Sequence, residues 1–127
     1  MTPEALDGPE FPPALGPYSP AVKAGPLVFV SAQAGVDPVT DQVPPGEFEA
    51  ECRQAFTNVT RALRAADSDL CRVVKMTILY VDTADLPIIN KVYAEAFPID
   101  PPARTAAVVR LAGGRRIAVD AIAMALS

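Results

Sequence analysis

The chain has 127 residues, half of them hydrophobic, and a net charge of −4. This length fits a single domain, residues 1–127, with a core of its own. The excess of acidic residues argues against binding through phosphate contacts, so no nucleic-acid partner is expected. The sequence contains no His, which excludes a Ser-His-Asp triad and His-based metal sites, and no metal is expected.

Membrane and redox features of the sequence favour a cytoplasmic protein. No run of residues is apolar over the roughly 20 positions that a membrane span needs, and we expect no membrane partner. The first ten residues, MTPEALDGPE, lack the basic and apolar regions of a secretory signal. Cys52 and Cys71 are too few for a disulfide framework or a structural zinc site, and we expect them to be buried or half-buried thiols.

The N-terminal third of the chain is predicted to begin with an arm and continue into a hairpin. Six of the 14 prolines lie in residues 1–20, which predicts an extended arm, Pro-rich over 1–15, and then a turn at LGPYSP. The break at Ala24-Gly25-Pro26 predicts a hairpin that joins a short strand to a strand over 27–33. DPVTDQVPPG is predicted to be a loop.

Residues 47–66 carry the periodicity of an amphipathic helix. Apolar residues recur at positions 48, 52, 56, 59, 63 and 66, in steps of three and four that place them on one helical stripe. Glu47, Glu49 and Glu51 lie in the first turn, where acids interact favourably with the helix dipole. Asp67 follows the helix and can adopt a left-handed cap conformation.

The second half of the chain alternates strands with a further helix. Residues 72–81 are rich in β-branched residues and predict a buried strand, and 86–97 predict a second helix that is ended by three prolines. A strand beginning near Arg104, a turn at Gly113-Gly114 and a strand over 117–125 complete the chain. This order predicts an α+β fold, a mixed sheet with two helices packed on one face. Oligomerisation is expected to cover the other face.

Six segments of the chain occur in an order and spacing that resemble the RidA (YjgF) family of imine deaminases. They are GPYSPAVKAG, LVFVSAQAGVDP, VVKMTILYV, INKVYAEAFP, PARTA and VDAIA. The resemblance implies a chorismate-mutase-like fold and a homotrimer whose sheets line a central barrel-like core, with ligand sites between subunits. It also implies hydrolysis of 2-imino acids to 2-keto acids and ammonia, without a metal or an organic cofactor.

The resemblance assigns roles to four residues of a small-carboxylate site. Arg104 corresponds to the arginine that binds the substrate carboxylate, and a guanidinium can bind a carboxylate through parallel N–H donors. Tyr18 corresponds to a tyrosine that closes over the ligand, Ser31 to a serine near it, and Asn90 to an asparagine near the cleft. Each also has a structural interpretation: Arg104 could reach solvent or pair with Asp100, Tyr18 could pack in its turn, Ser31 could be a surface residue, and Asn90 could bind a backbone carbonyl.

Two positions depart from the family pattern. Many family members have Cys where this chain has Ala106, whose backbone groups could still bind a carboxylate or orient a water. In the last strand, Ala118 replaces a Glu that is often proposed to position the attacking water, while Asp120 matches a second acid. Ala118 and Asp120 face the same side of the sheet by strand parity. Asp120 is a candidate catalytic residue acting through a water, but pairing with Arg116 or Arg110 is slightly favoured.

Three functions follow from these residues. The first is an imine deaminase, slowed or altered by Ala118, because a positioned base typically contributes about 10²–10⁴-fold to such a reaction. The second is a non-catalytic trimer that binds small carboxylates. The third, an endoribonuclease or translation inhibitor, is the weakest because the chain is acidic and lacks His.

Overall fold

The computed structural model describes residues 2–126, which form one six-stranded mixed sheet and two α-helices. The strands and helices have the bounds β1 Glu4–Leu6, β2 Ala21–Ala24, β3 Leu27–Ala34, α1 Phe48–Ala65, β4 Val73–Tyr80, α2 Leu86–Ala96, β5 Ala103–Val108 and β6 Ile117–Met124. The strand order is β1-β2-β3-β6-β4-β5, and only the β4–β5 pair is parallel within the described residues. The last strand of the chain therefore lies in the middle of the sheet.

The predicted elements are confirmed, with ends that differ by one or two residues. Gly25 joins β2 to β3 with a φ of 59°, and Asp67 has a φ of 59° directly after the helix, as its cap role predicted. The N-terminal arm contains a short strand that was not predicted, since Glu4–Leu6 pair with β2. Three residues without apolar alternation carry no strand signal of their own, and only the exposed edge of β2 makes them a strand.

Both helices pack on one face of the sheet, as predicted. Alternate residues of β6, namely Ile117, Val119, Ala121 and Ala123, are at most 1% exposed and lie under the helices. The opposite face has no helix over it, and it leaves Phe29 39% and Met124 45% exposed. Apolar side chains in such a contiguous exposed area are typical of a surface that binds another protein chain.

The two cysteines have different environments. Cys52 is buried in α1, and burial raises the pKa of its thiol to about 12, so it remains protonated. Cys71 is exposed, and the prediction that it is buried or half-buried was wrong. It lies in a short 3-10 turn before β4, outside the strand periodicity that would direct it to the core. No helix among residues 2–126 is long and apolar enough to cross a membrane.

Candidate functional site

Arg104 lies near the start of the edge strand β5, on the side of the sheet that faces α2. Its Nη1 donates a 2.9 Å hydrogen bond to Oδ1 of Asn90, and its guanidinium carbon lies 4.9 Å from the centroid of the Tyr93 ring. The predicted alternative, an ion pair with Asp100, does not occur among the described residues. Since an arginine has five N–H donors and one is used here, the others remain available to a carboxylate.

Tyr93 supports Arg104 and was not predicted to be a site residue. Its ring is buried and packs edge-on against Phe56, with the centroids 6.2 Å apart, and against Phe97 at 4.8 Å. Burial raises the pKa of its hydroxyl, which has no hydrogen-bond partner within residues 2–126. Tyr93 lies three residues from Asn90 on α2, a spacing that puts both on one helical face.

A cavity of about 190 Å³ lies on a different part of the sheet, and of the predicted site residues it is lined by Tyr18. Tyr18 lines it, 45% exposed, and its hydroxyl accepts a 3.1 Å hydrogen bond from the backbone N–H of Leu15. Ser31 is not among the residues that line this cavity, and its hydroxyl donates a 2.6 Å hydrogen bond to the carbonyl of Ser19. The Ser31 hydroxyl thus ties β3 to the Tyr18 turn.

The structure separates the predicted site residues into two groups. Strands β6 and β4 lie between β3 and β5, so Ser31 and Arg104 are about 14 Å apart across the sheet, at about 4.8 Å per strand. Arg104 is paired with Met76, a core residue on the helix side, whereas Asp120 is paired with Thr77 on the opposite face. One protomer therefore does not bring Arg104 together with Asp120 or Tyr18.

The segment before β6 is held by a buried carboxylate that was also missed. Glu51 is 0% exposed, and its two oxygens accept hydrogen bonds from the backbone N–H of Arg116 at 2.7 Å and from its Nε at 2.6 Å. Glu51 was assigned to the dipole of α1 because acids cluster there. Its spacing with Ala55, Asn58 and Ala62, at steps of four, three and four, places it on a second buried stripe of that helix.

Comparison with known proteins identifies the family. Residues 9–125 match the family model described as Endoribonuclease L-PSP. The chain belongs to the RidA/YjgF family. It is 41% identical over 114 residues to "2-iminobutanoate/2-iminopropanoate deaminase" of Bos taurus, and the alignment covers 89% of this chain and 83% of the relative. It is 39% identical to the Homo sapiens protein of the same name, with the same coverage of both chains.

Solved structures of this RidA/YjgF family have the same fold. RidA from the Antarctic bacterium Psychrobacter sp. PAMC 21119 is 33% identical with a TM-score of 0.89, and E. coli TdcF with bound serine is 30% identical with a TM-score of 0.87. Each comparison covers 95% of this chain and 98% of the other. The α+β mixed sheet with two helices is thus the RidA/YjgF fold.

Ala106 and Ala118, the two positions predicted to depart from the family pattern, have different surroundings. Ala106 is exposed two residues after Arg104 on the edge strand β5, where part of the backbone has no strand partner in the protomer. Ala118 lines the Tyr18 cavity and brings no acid to it. Asp120 faces Thr77 and Lys75. Burial raises the pKa of its carboxyl, and this effect exceeds the lowering by the hydrogen bond from Thr77 and by the charge of Lys75.

The slightly favoured role of Asp120, a structural ion pair, was wrong. The Nε of Arg116 donates to Glu51, and within residues 2–126 neither Arg116 nor Arg110 forms an ion pair with Asp120. Pairing was inferred from closeness in sequence, but a neighbouring arginine reaches an acid only if their side chains point to the same face. The backbone of Arg116 turns its side chain to α1.

Proposed function

We propose that the protein hydrolyses small 2-imino acids to 2-keto acids and ammonia, with Arg104 binding the substrate carboxylate. The observation that carries this proposal is the guanidinium held by Asn90 and Tyr93 with its remaining donors free. Its relatives at about 40% identity are named imine deaminases, which supports the same reaction class. A charge-assisted pair of this kind contributes about 1.5–3 kcal/mol.

The site is completed, in this proposal, by a neighbouring copy in a homotrimer. The Arg104 group and the Tyr18 cavity lie on different strands of the sheet, so a cleft between copies can contain both while one copy cannot. The helix-free face, with Phe29 and Met124 partly exposed, supplies an apolar surface for packing sheets into a barrel-like core. Light scattering is expected to give about three chain masses, and a monodisperse monomer would refute this assembly.

The chemistry needs little from the protein, and no cofactor is proposed. Water adds to the electrophilic imine carbon, the tetrahedral adduct transfers a proton to nitrogen, and ammonia leaves as the ketone forms. Arg104 holds the carboxylate and so positions the adjacent imine carbon. Asp120 is the candidate base, and because it lies on the opposite face from Arg104 in its own protomer, it would act on substrate bound to another copy.

The proposal is tested with freshly generated 2-iminobutyrate and coupled detection of keto-acid release. We expect the wild type to accelerate release and Arg104→Ala to lose about 10- to 150-fold in kcat/KM, the loss that corresponds to one charge-assisted pair. Arg110→Gln is the matched control, because Arg110 is exposed beyond the end of β5, and its kcat/KM should equal that of wild type. A wild-type rate equal to the uncatalysed rate would refute the deaminase proposal.

A second candidate is a non-catalytic protein that binds small carboxylates, and Ala118 favours it because it leaves the Tyr18 cavity without the acid common in the family. In that case calorimetry would detect 2-ketobutyrate binding that Arg104→Ala weakens, while imine hydrolysis stays at the uncatalysed rate. Measuring binding and hydrolysis on the same two proteins separates the candidates.

A further inference from the structure

The Tyr18 cavity is lined by an arginine, Arg115, that the deaminase reaction itself does not require. We propose that Arg115 binds an acidic group on the substrate side chain, so that the cleft prefers 2-imino dicarboxylic acids to monocarboxylic ones. This inference rests on the proposed function, because it names the substrate class of that same site.

Arg115 is placed for such a role by the turn between β5 and β6. It is half-buried and lines the cavity beside Tyr18 and Ala118. Its Nε lies 3.8 Å from the position that a Cβ on Gly113 would take, so the side chain lies against this turn instead of extending into solvent. Gly113 itself has a φ of 70°, a left-handed conformation that glycine adopts readily in such a turn.

No partner within the described residues neutralises Arg115. None of the ion pairs of residues 2–126 includes it, and none of their side-chain hydrogen bonds uses its guanidinium, whereas the adjacent Arg116 is bound by Glu51. Asp41 is the acid that also lines the cavity, but it is exposed and more than 4 Å from the guanidinium. A partly buried guanidinium without a carboxylate partner favours an anionic ligand.

The rest of the cavity wall strengthens this preference. Ala32, Ala34 and Ala118 contribute apolar surface, which lowers the local dielectric constant and makes a charge pair stronger than in water. With Arg104 of a neighbouring copy on the carboxylate beside the imine carbon, a ligand with a second carboxylate satisfies both guanidinium groups. A monocarboxylic imine leaves Arg115 without a partner.

The test compares two imines made in place by oxidation of D-alanine and D-aspartate, 2-iminopropanoate and iminosuccinate. We expect the wild type to have the higher kcat/KM for iminosuccinate. Arg115→Gln should lower kcat/KM for iminosuccinate about tenfold more than for 2-iminopropanoate, the loss expected for one charge-assisted hydrogen bond. Arg115→Lys keeps the charge and should recover part of the preference, and the control Arg110→Gln should not change it.

Failure of this inference and failure of the proposed function give different results. Equal loss on both imines with Arg115→Gln, or a wild type that prefers 2-iminopropanoate, would overturn the role of Arg115 and leave the deaminase proposal standing. If neither imine is hydrolysed, the deaminase proposal fails. Calorimetry with 2-ketoglutarate and 2-ketobutyrate then decides the inference: tighter binding of the diacid that Arg115→Gln removes supports it, and equal binding overturns it.

Discussion

Replacing Glu51 by Ala removes a buried carboxylate that connects α1 to the segment before β6. In the native protein its oxygens accept hydrogen bonds of 2.6 and 2.7 Å from Arg116. The variant leaves a backbone N–H and a guanidinium without these partners. Arg116 directly precedes β6 and follows Arg115, which lines the Tyr18 cavity. We therefore expect the variant to be less stable and the shape of the Tyr18 cavity to change.

The size of the effect of Glu51→Ala follows from burial. Breaking a buried ion pair costs about 3–5 kcal/mol, and the lower end applies because water can reach the Arg116 side chain, which is 38% exposed. For a chain of 127 residues, an unfolding entropy of about 2.1 cal/mol/K per residue gives about 0.27 kcal/mol/K. A loss of about 3 kcal/mol therefore lowers Tm by about 11 °C.

Differential scanning calorimetry at one fixed protein concentration measures this shift. Glu51→Gln retains an acceptor oxygen and should lose about half as much as Glu51→Ala. Glu47→Ala is the matched control, since Glu47 is exposed at the start of the same helix and its side chain makes no capping hydrogen bond. A drop below about 3 °C for Glu51→Ala, or an equal drop for the control, would refute the reasoning.

Three further variants test other parts of the structure. Tyr93→Leu removes the ring under Arg104, a contact of about 0.5–2 kcal/mol, and should lower kcat/KM for the imine about 2- to 30-fold. Tyr93→Phe keeps the ring and should keep the activity. An equal loss of activity in both variants would contradict a role for the ring. Burial raises the pKa of the Asp120 carboxyl above its unfolded value. At a pH above the folded-state pKa, the charged carboxylate therefore destabilises the folded protein. Asp120→Asn should therefore raise Tm at neutral pH but not below about pH 3.5, and a gain independent of pH would contradict this. Gly35→Ala places a Cβ 2.2 Å from the backbone oxygen of Glu51. It should lower the free energy of unfolding, measured in urea, by about 1–3 kcal/mol. Unchanged stability would show that β3 and α1 can move apart to make room for the methyl group.

The elements of this protein could be predicted because their signals are local. The steps of three and four in α1, the β-branched run of β4 and the turn at Gly25 each depend on residues close in sequence. The short strand β1 could not be predicted, because its three residues pair with an edge that only the folded hairpin presents. Local signals also gave a wrong role for Glu51, which was predicted to interact with the helix dipole. Its burial depends on the segment before β6 that packs against this side of α1.

The sequence alone determined the fold class and, through segments in register with RidA/YjgF proteins, the candidate residues Arg104, Tyr18 and Asn90. Only the tertiary structure decided which of them meet. Strand order places β6 between β3 and β4, and strand parity turns Arg104 toward α2 and Asp120 away from it. Long-range pairing sets the strand order and the face that the helices cover, whereas the sequence shows only which residues of one strand share a face.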